Sequence, residues 1–378
     1  MSLNATRVMA LAVAVCATVL AGCGGGPVDT PPATLSNPAG LTSDVQSLDT
    51  PLQAPVFQSF SALGAGSPLS ARTVRFLASM TPTRTAFATR EAAVRKQAFA
   101  VKSLRPSFAT APTGAGSLIP ESYWGKVYVW STSTQEYVEG AATGGPATGV
   151  RFTLYAIDAV TNQPAEPLDP IGYADLTDES TDTQYKLGVL VGDATTTYAD
   201  YIVSATATAS SFAATAAGFV TDGTHRLDFT NSASASSTHI SIDFDLTLNQ
   251  PDVSAHLHAD LVAGDPTTVL TLSFGVTRGS ETVVLSGTLG ITPTQSGASA
   301  SANLVITVND RQFATITGTA YSGSATGYTV TGPDRALTQS ERGAVEQLMA
   351  SPAVLSAAVA PVFAPAEDLV GSSYSLGF

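Results

Sequence analysis

The 378-residue chain has almost no cysteine: Cys16 and Cys23 are the only two, both near the N-terminus. A domain that begins after them has no disulfide, no thiolate-bound zinc and no cysteine nucleophile. Charge is scarce at 12% of residues, and 17 Lys and Arg stand against 30 Asp and Glu. The formal charge of −13 excludes nucleic acid as a partner, because phosphate binding needs clustered cations. Imidazole chemistry has four candidates only, His225, His239, His256 and His258. Contiguous signatures are missing too: no G-x-S-x-G, S-x-x-K, H-E-x-x-H, Walker loop or helix-opening G-x-G-x-x-G occurs. A noncontiguous Ser-His-Asp triad is set by geometry and is not excluded this way.

What is present starts with an address. Arg7 precedes an apolar run from Val8 to Val19, the length of a signal-peptide core and short for a membrane span. The run ends in Leu20-Ala21-Gly22-Cys23, followed by glycines. This N-terminus resembles the lipobox signal of bacterial lipoproteins. The resemblance implies a signal peptide over 1–22, cleavage before Cys23 and acylation of that residue, palmitate included. It also implies a chain held in the cell envelope by its lipid. Gly24 stands where an Asp would retain such a protein at the inner membrane, so the resemblance points to the outer membrane.

Residues 23–55 are rich in Pro, Gly, Ser and Thr and read as a flexible tether. Residues 56–110 read as a basic, partly helical segment, clearest from Thr85 to Arg105. From Arg72 to Arg105 eight bases face one acid, Glu91, giving +7, while the rest of the mature chain is −21. Two readings of 72–105 stand open: a helix on an anionic membrane surface, or one packed against its own acidic domain.

From residue 117 to 333 the period becomes two, with fourteen strands from Tyr123–Ser131 to Gln312–Thr317 separated by turn residues. Short connections without crossover helices predict antiparallel neighbours in a meander. One face is apolar, as in Ile240, Ile242, Phe244, Leu246 and Leu248, and must be covered. Residues 334–378 supply a cover: Thr338-Gln339-Ser340-Glu341 is a capping box opening a helix with a Val345, Leu348, Met349 stripe. A second helix around Val354–Val359 and a final strand at Tyr374–Phe378 complete the expectation. The fold class is α+β, mostly β: a large curved antiparallel β-meander, open sheet or partial barrel, covered by N- and C-terminal helices.

Three constellations bear on function. An apolar concave face under movable helices would hold a hydrophobic small molecule in a groove lined by Leu246, Leu272, Phe274, Leu285 and Ile306. Trp124, Tyr128 and Trp130 share one face of the first strand and, if exposed, form a stacking platform for an adhesive surface. His256, His258 and Asp260 alternate on one strand, and a turn at Gln250-Pro251 sets Asp245 opposite His256 and Asp243 opposite His258. Such a face suits a divalent metal, even a metal-dependent hydrolase, but Asp–His cross-strand pairs also stabilise ordinary polar faces. The acidic stretch Asp175, Asp178, Glu179, Asp182 lacks calcium-loop spacing and reads as a solvated or self-bonded loop. The reading that follows is a non-enzymatic envelope lipoprotein without cofactor, anchored to the membrane through acylated Cys23. It binds a hydrophobic ligand or scaffolds an envelope protein.

Overall fold

The structure, a computed structural model, describes residues 33–66, 117–352, 355 and 362, with short gaps at 159, 162, 209–210, 237, 265–266, 295–296, 322–327 and 334. The signal peptide, Cys23, the basic stretch 72–105 and the tail strand at Tyr374–Phe378 therefore lie outside the described residues.

Three helices are described: α1 (Pro38–Ser47), α2 (Pro55–Gly66) and α3 (339–352). The strands are β1 (Lys126–Ser131), β2 (Glu136–Thr143), β3 (Gly149–Tyr155), β4 (Pro170–Asp178), β5 (Tyr185–Gly192), β6 (Thr197–Ala207), β7 (Ser211–Thr221) and β8 (Arg226–Ser236). They continue as β9 (His239–Leu248), β10 (Val253–Val262), β11 (Thr268–Arg278), β12 (Glu281–Thr294), β13 (Gly297–Val308), β14 (Arg311–Tyr321) and β15 (Tyr328–Thr331). All fifteen belong to one open sheet, ordered β15 through β3 consecutively and ending β3-β1-β2. The mostly β, helix-covered architecture is thus as the alternation predicts, with an unclosed strand order.

The meander has one departure. β1 pairs antiparallel with β2 but parallel with β3, Lys126 facing Val150 and Tyr128 facing Phe152. The β1–β2 hairpin therefore turns outward, and β2 becomes the sheet edge. Glu136 and Glu139 sit on that edge, charges that discourage pairing with another strand.

The chain divides into two compact units. One contains, of the described residues, 33–48, 233–352 and Leu355. Its apolar rows run strand to strand, as in Phe244, Leu257, Phe274, Leu285, Ile306 and Ala314, paired in that order across β9–β14. Full burial of each large member contributes about 1.5–3 kcal/mol. Gly287 interrupts the alternation between Leu285 and Leu289 for a steric reason. Its φ is 141°, and a Cβ there would lie 2.2 Å from the Asn303 carbonyl oxygen. α1 lies on β11, with Leu41 and Val45 buried, and α3 buries Val345, Leu348 and Met349. The predicted capping box is present: Glu341 N–H donates to Thr338 Oγ1 at 3.3 Å, and Thr338 N–H donates to the Glu341 carboxylate at 2.8 Å.

The other unit contains 49–66, 117–232 and Val362. α2 lies on β3, β4 and β5, with Val56, Phe57, Phe60 and Leu63 buried at helical spacing. Ser59 Oγ accepts the Tyr155 backbone N–H at 3.0 Å, and the Tyr201 hydroxyl donates to the Val362 carbonyl at 2.6 Å.

The tether reading of residues 23–55 needs correction from Ala33 onward. Ala33, Leu35, Leu41, Val45, Leu48 and Ala54 are buried, and Asn37 caps α1 by accepting the Gly40 N–H at 2.9 Å. Composition hid a short helix opened by an Asn-Pro cap and striped at Leu41, Val45 and Leu48.

Candidate functional site

The polar face of β9 and β10 gathers three of the four histidines. Both strands alternate strictly, so Ile242, Phe244, Leu246, Ala255, Leu257 and Ala259 turn to the core while the intervening residues face outward. The register is the predicted one: Asp245 faces His256, and Asp243 faces His258. His256 Nδ1 is 2.6 Å from Asp245 Oδ1, and His258 Nδ1 is 2.7 Å from Asp243 Oδ1. His239 Nε2 lies 2.8 Å from Asp260 Oδ1. Burial pushes the Asp260 carboxyl up, but hydrogen bonds from Ser241 and His239 outweigh it, holding Asp260 below the ordinary carboxylate range. The fourth histidine repeats the pairing, His225 Nδ1 being 2.8 Å from Asp222 Oδ2.

This face does not gather a full coordination shell. Among the described residues no group of three or more His, Cys, Asp or Glu is placed to hold a metal ion. Each aspartate oxygen named above is already engaged with an imidazole nitrogen, so His256, His258, Asp243, Asp245 and Asp260 do not converge as five ligands.

The expected ligand groove is not open among the described residues. Leu246, Leu272, Phe274, Leu285 and Ile306 are between 1% and 5% exposed, so they line no open cavity. The segment read as a tether contributes a cover: it supplies α1, which lies on β11 with Leu41 and Val45 buried.

The aromatic platform divides. Trp124 precedes β1, capping a 3-10 turn over Glu121–Tyr123, and donates its indole N–H to the Ile119 carbonyl at 2.9 Å. Tyr128 is buried, with its ring 5.5 Å from Phe152, and Trp130 stands half-buried, edge-on to Tyr137 at 5.5 Å. Tyr137 meets Phe152 at 5.4 Å. Burial pushes the Tyr128 hydroxyl up to about 12. Tyr128 and Trp130 serve an aromatic cluster with Tyr137 and Phe152 near the edge of the sheet, while Trp124 is tied by its indole to the Ile119 carbonyl.

The acidic stretch is spent on local structure. Arg151 forks onto Asp175 through two bonds of 2.7 Å, and Lys186 reaches Glu179 at 2.5 Å. Buried Asp178 accepts Ser117 Oγ–H at 2.5 Å, Ile119 N–H at 3.1 Å and Ser180 N–H at 2.9 Å. Burial alone would raise its carboxyl, but these bonds together hold it below the usual value.

Two polar clamps escaped the reading of the sequence. Arg278 Nη1 donates to Asp44 Oδ1 at 2.8 Å, and Glu281 accepts the Ser36 N–H at 3.2 Å. Arg278 and Glu281 face each other at the β11–β12 turn, so one hairpin end grips both ends of the α1 region. At α3, Arg335 forks onto Glu341 at 2.7 and 2.5 Å. No alternation or spacing announces the first clamp, whose partners lie 234 and 245 residues apart.

No known family, curated protein or solved structure matches the chain. Among the described residues no helix is long and apolar enough to cross a membrane.

Proposed function

We propose that this protein is a lipid-anchored lipoprotein of the bacterial cell envelope, non-enzymatic, acting as a scaffold or interaction module at the membrane surface. The observation that carries the reading is Leu20-Ala21-Gly22-Cys23 behind a single Arg and a short apolar run. Gly24 favours the outer membrane. Multiple acyl chains on Cys23 give stable anchoring where one would not.

The scaffold half of the reading draws support from burial. The side chains expected to line a ligand groove are buried, which favours the outward polar face and the loops for partners. Because Ala33 and Leu35 are already buried, only residues 23–32 separate the anchor from the fold. Ten residues span at most roughly 35 Å, so the domain works within that distance of the membrane surface.

The test is metabolic labelling with an alkyne fatty acid in a Gram-negative host, followed by membrane separation and mass spectrometry of the N-terminal peptide. Wild-type protein is expected to carry label on Cys23 and to sediment with outer membranes. Cys23→Ser is expected to lose both. Unlabelled wild-type protein, or a mature chain starting elsewhere, overturns the reading.

A further inference from the structure

On the polar face of β10, the Nε2 atoms of His256 and His258 have no hydrogen bond among the described residues. Their Nδ1 atoms are committed to Asp245 and Asp243. A neutral imidazole that donates Nδ1–H to a carboxylate presents Nε2 as a lone pair, the ligand form of histidine. Two residues apart on a strand, the pair faces one way with Cα atoms about 6.7 Å apart. That separation lets two imidazoles lean onto a single ion at about 2.0–2.1 Å from each nitrogen. Both rings are accessible, His256 being 51% and His258 37% exposed at the side chain.

The flank toward β11 is open. His256 faces Gly275 and His258 faces Ser273. Packing does not demand that glycine: a Cβ there would meet Val284 Cγ2 at 3.5 Å, an ordinary contact.

We propose that His256 and His258 chelate a divalent transition-metal cation of borderline softness, such as zinc, copper(II) or nickel(II), through their Nε2 atoms. Asp245 and Asp243 orient the rings and are not themselves ligands. Asp260, the third acid on this stretch of strand, is held by His239 and stays outside. With two protein nitrogens and no third protein ligand, water completes the shell, so the ion exchanges readily. The site captures metal; it neither builds the fold nor performs hydrolysis. Calcium and magnesium, which want oxygen ligands, are excluded.

The test titrates untagged, full-length protein in detergent with copper(II) alone, read by calorimetry and by the nitrogen splitting of the copper paramagnetic resonance spectrum. One equivalent is expected to bind with two imidazole nitrogens. His256→Gln and His258→Gln are each expected to weaken it at least tenfold, while His225→Gln leaves it unchanged. Asp243→Asn with Asp245→Asn keeps both rings and is expected to weaken binding about 10–100-fold. Binding that survives His256→Gln with His258→Gln, or a signature of fewer than two nitrogens, overturns the proposal. The lipid anchor is not involved, so this outcome is independent of the labelling experiment.

Discussion

The two units solve one problem, a sheet with a wet face and a dry face, by different means. The unit with β9–β14 uses long ladders filled mostly by aliphatic rows, with one register shift among the described pairings, at Ile306/Thr307, and its covering helices are held by ion pairs: Arg278 to Asp44, Arg335 to Glu341. The unit with β1–β7 is irregular. It has the parallel β1–β3 pairing and register shifts at Lys126/Tyr128, Leu154/Tyr155 and Val191/Gly192. Aromatic rings fill the irregular space, and neutral hydrogen bonds from Tyr155 and Tyr201 tie on the cover. Regular spacing can be closed with interchangeable aliphatics; a bulged, reversed edge needs large rings whose geometry fits the gaps.

The largest expected effect tests that contrast in the cores. Phe152→Ala and Phe274→Ala, both at buried positions, each cost about 3–5 kcal/mol by chemical denaturation. The leucine variants separate the units. Phe274→Leu joins the aliphatic neighbours Leu257 and Leu285 at a cost of about 1 kcal/mol. Phe152→Leu loses ring contacts to Tyr128 and Tyr137, each worth a further 0.5–1.5 kcal/mol or so. Equal costs for the two leucine variants would erase the distinction.

Next in size is the clamp on α1. Arg278→Ala strands buried Asp44 and costs about 1–3 kcal/mol. Limited proteolysis is expected to cut residues 33–48 while β9–β14 stay intact. Adding Asp44→Ala is expected to restore part of the loss, because the stranded charge is gone. A clamp of no consequence leaves the cleavage pattern of Arg278→Ala unchanged.

The smallest effect is a pH dependence at α3. The Arg335 guanidinium, helped by Thr338, outweighs burial and holds the Glu341 carboxyl at about 2, against 4.5 for a free glutamate. A carboxyl depressed in the folded state stabilises above its unfolded value, and that stability disappears as pH falls from about 4.5 through 2. Unfolding midpoints measured across this window are therefore expected to drop more steeply for wild type than for Glu341→Gln. Parallel curves would remove Glu341 from the account.

The contrast also explains what could be read in advance. In β9–β11 the alternation is clean, so the His–Asp register and the inward row are legible from the residues alone; β12 to β14 run up to five residues past the expected ranges, and Gly287 and a register shift at Ile306/Thr307 break their alternation. At β1–β3, Trp124, Tyr128 and Trp130 have the right spacing for one face, but Trp124 lies in the turn before the strand and a register shift follows Lys126. Alternation carries no information about bulges or parallel pairing. α1 was missed for another reason: Pro, Gly, Ser and Thr dominate residues 23–55 and conceal a ten-residue helix whose signals are Asn37-Pro38 and three spaced apolar residues. The consequence is local: a segment expected to be a tether lies on β11 with Leu41 and Val45 buried.

Hydrogen exchange read by mass spectrometry on peptides covering 38–48 and β11 in the intact protein tests this placement most directly. The account predicts that the α1 amides are protected over the same minutes-to-hours range as those of β11. Exchange of 38–48 within seconds, beside a protected β11, would contradict it and return the segment to a tether.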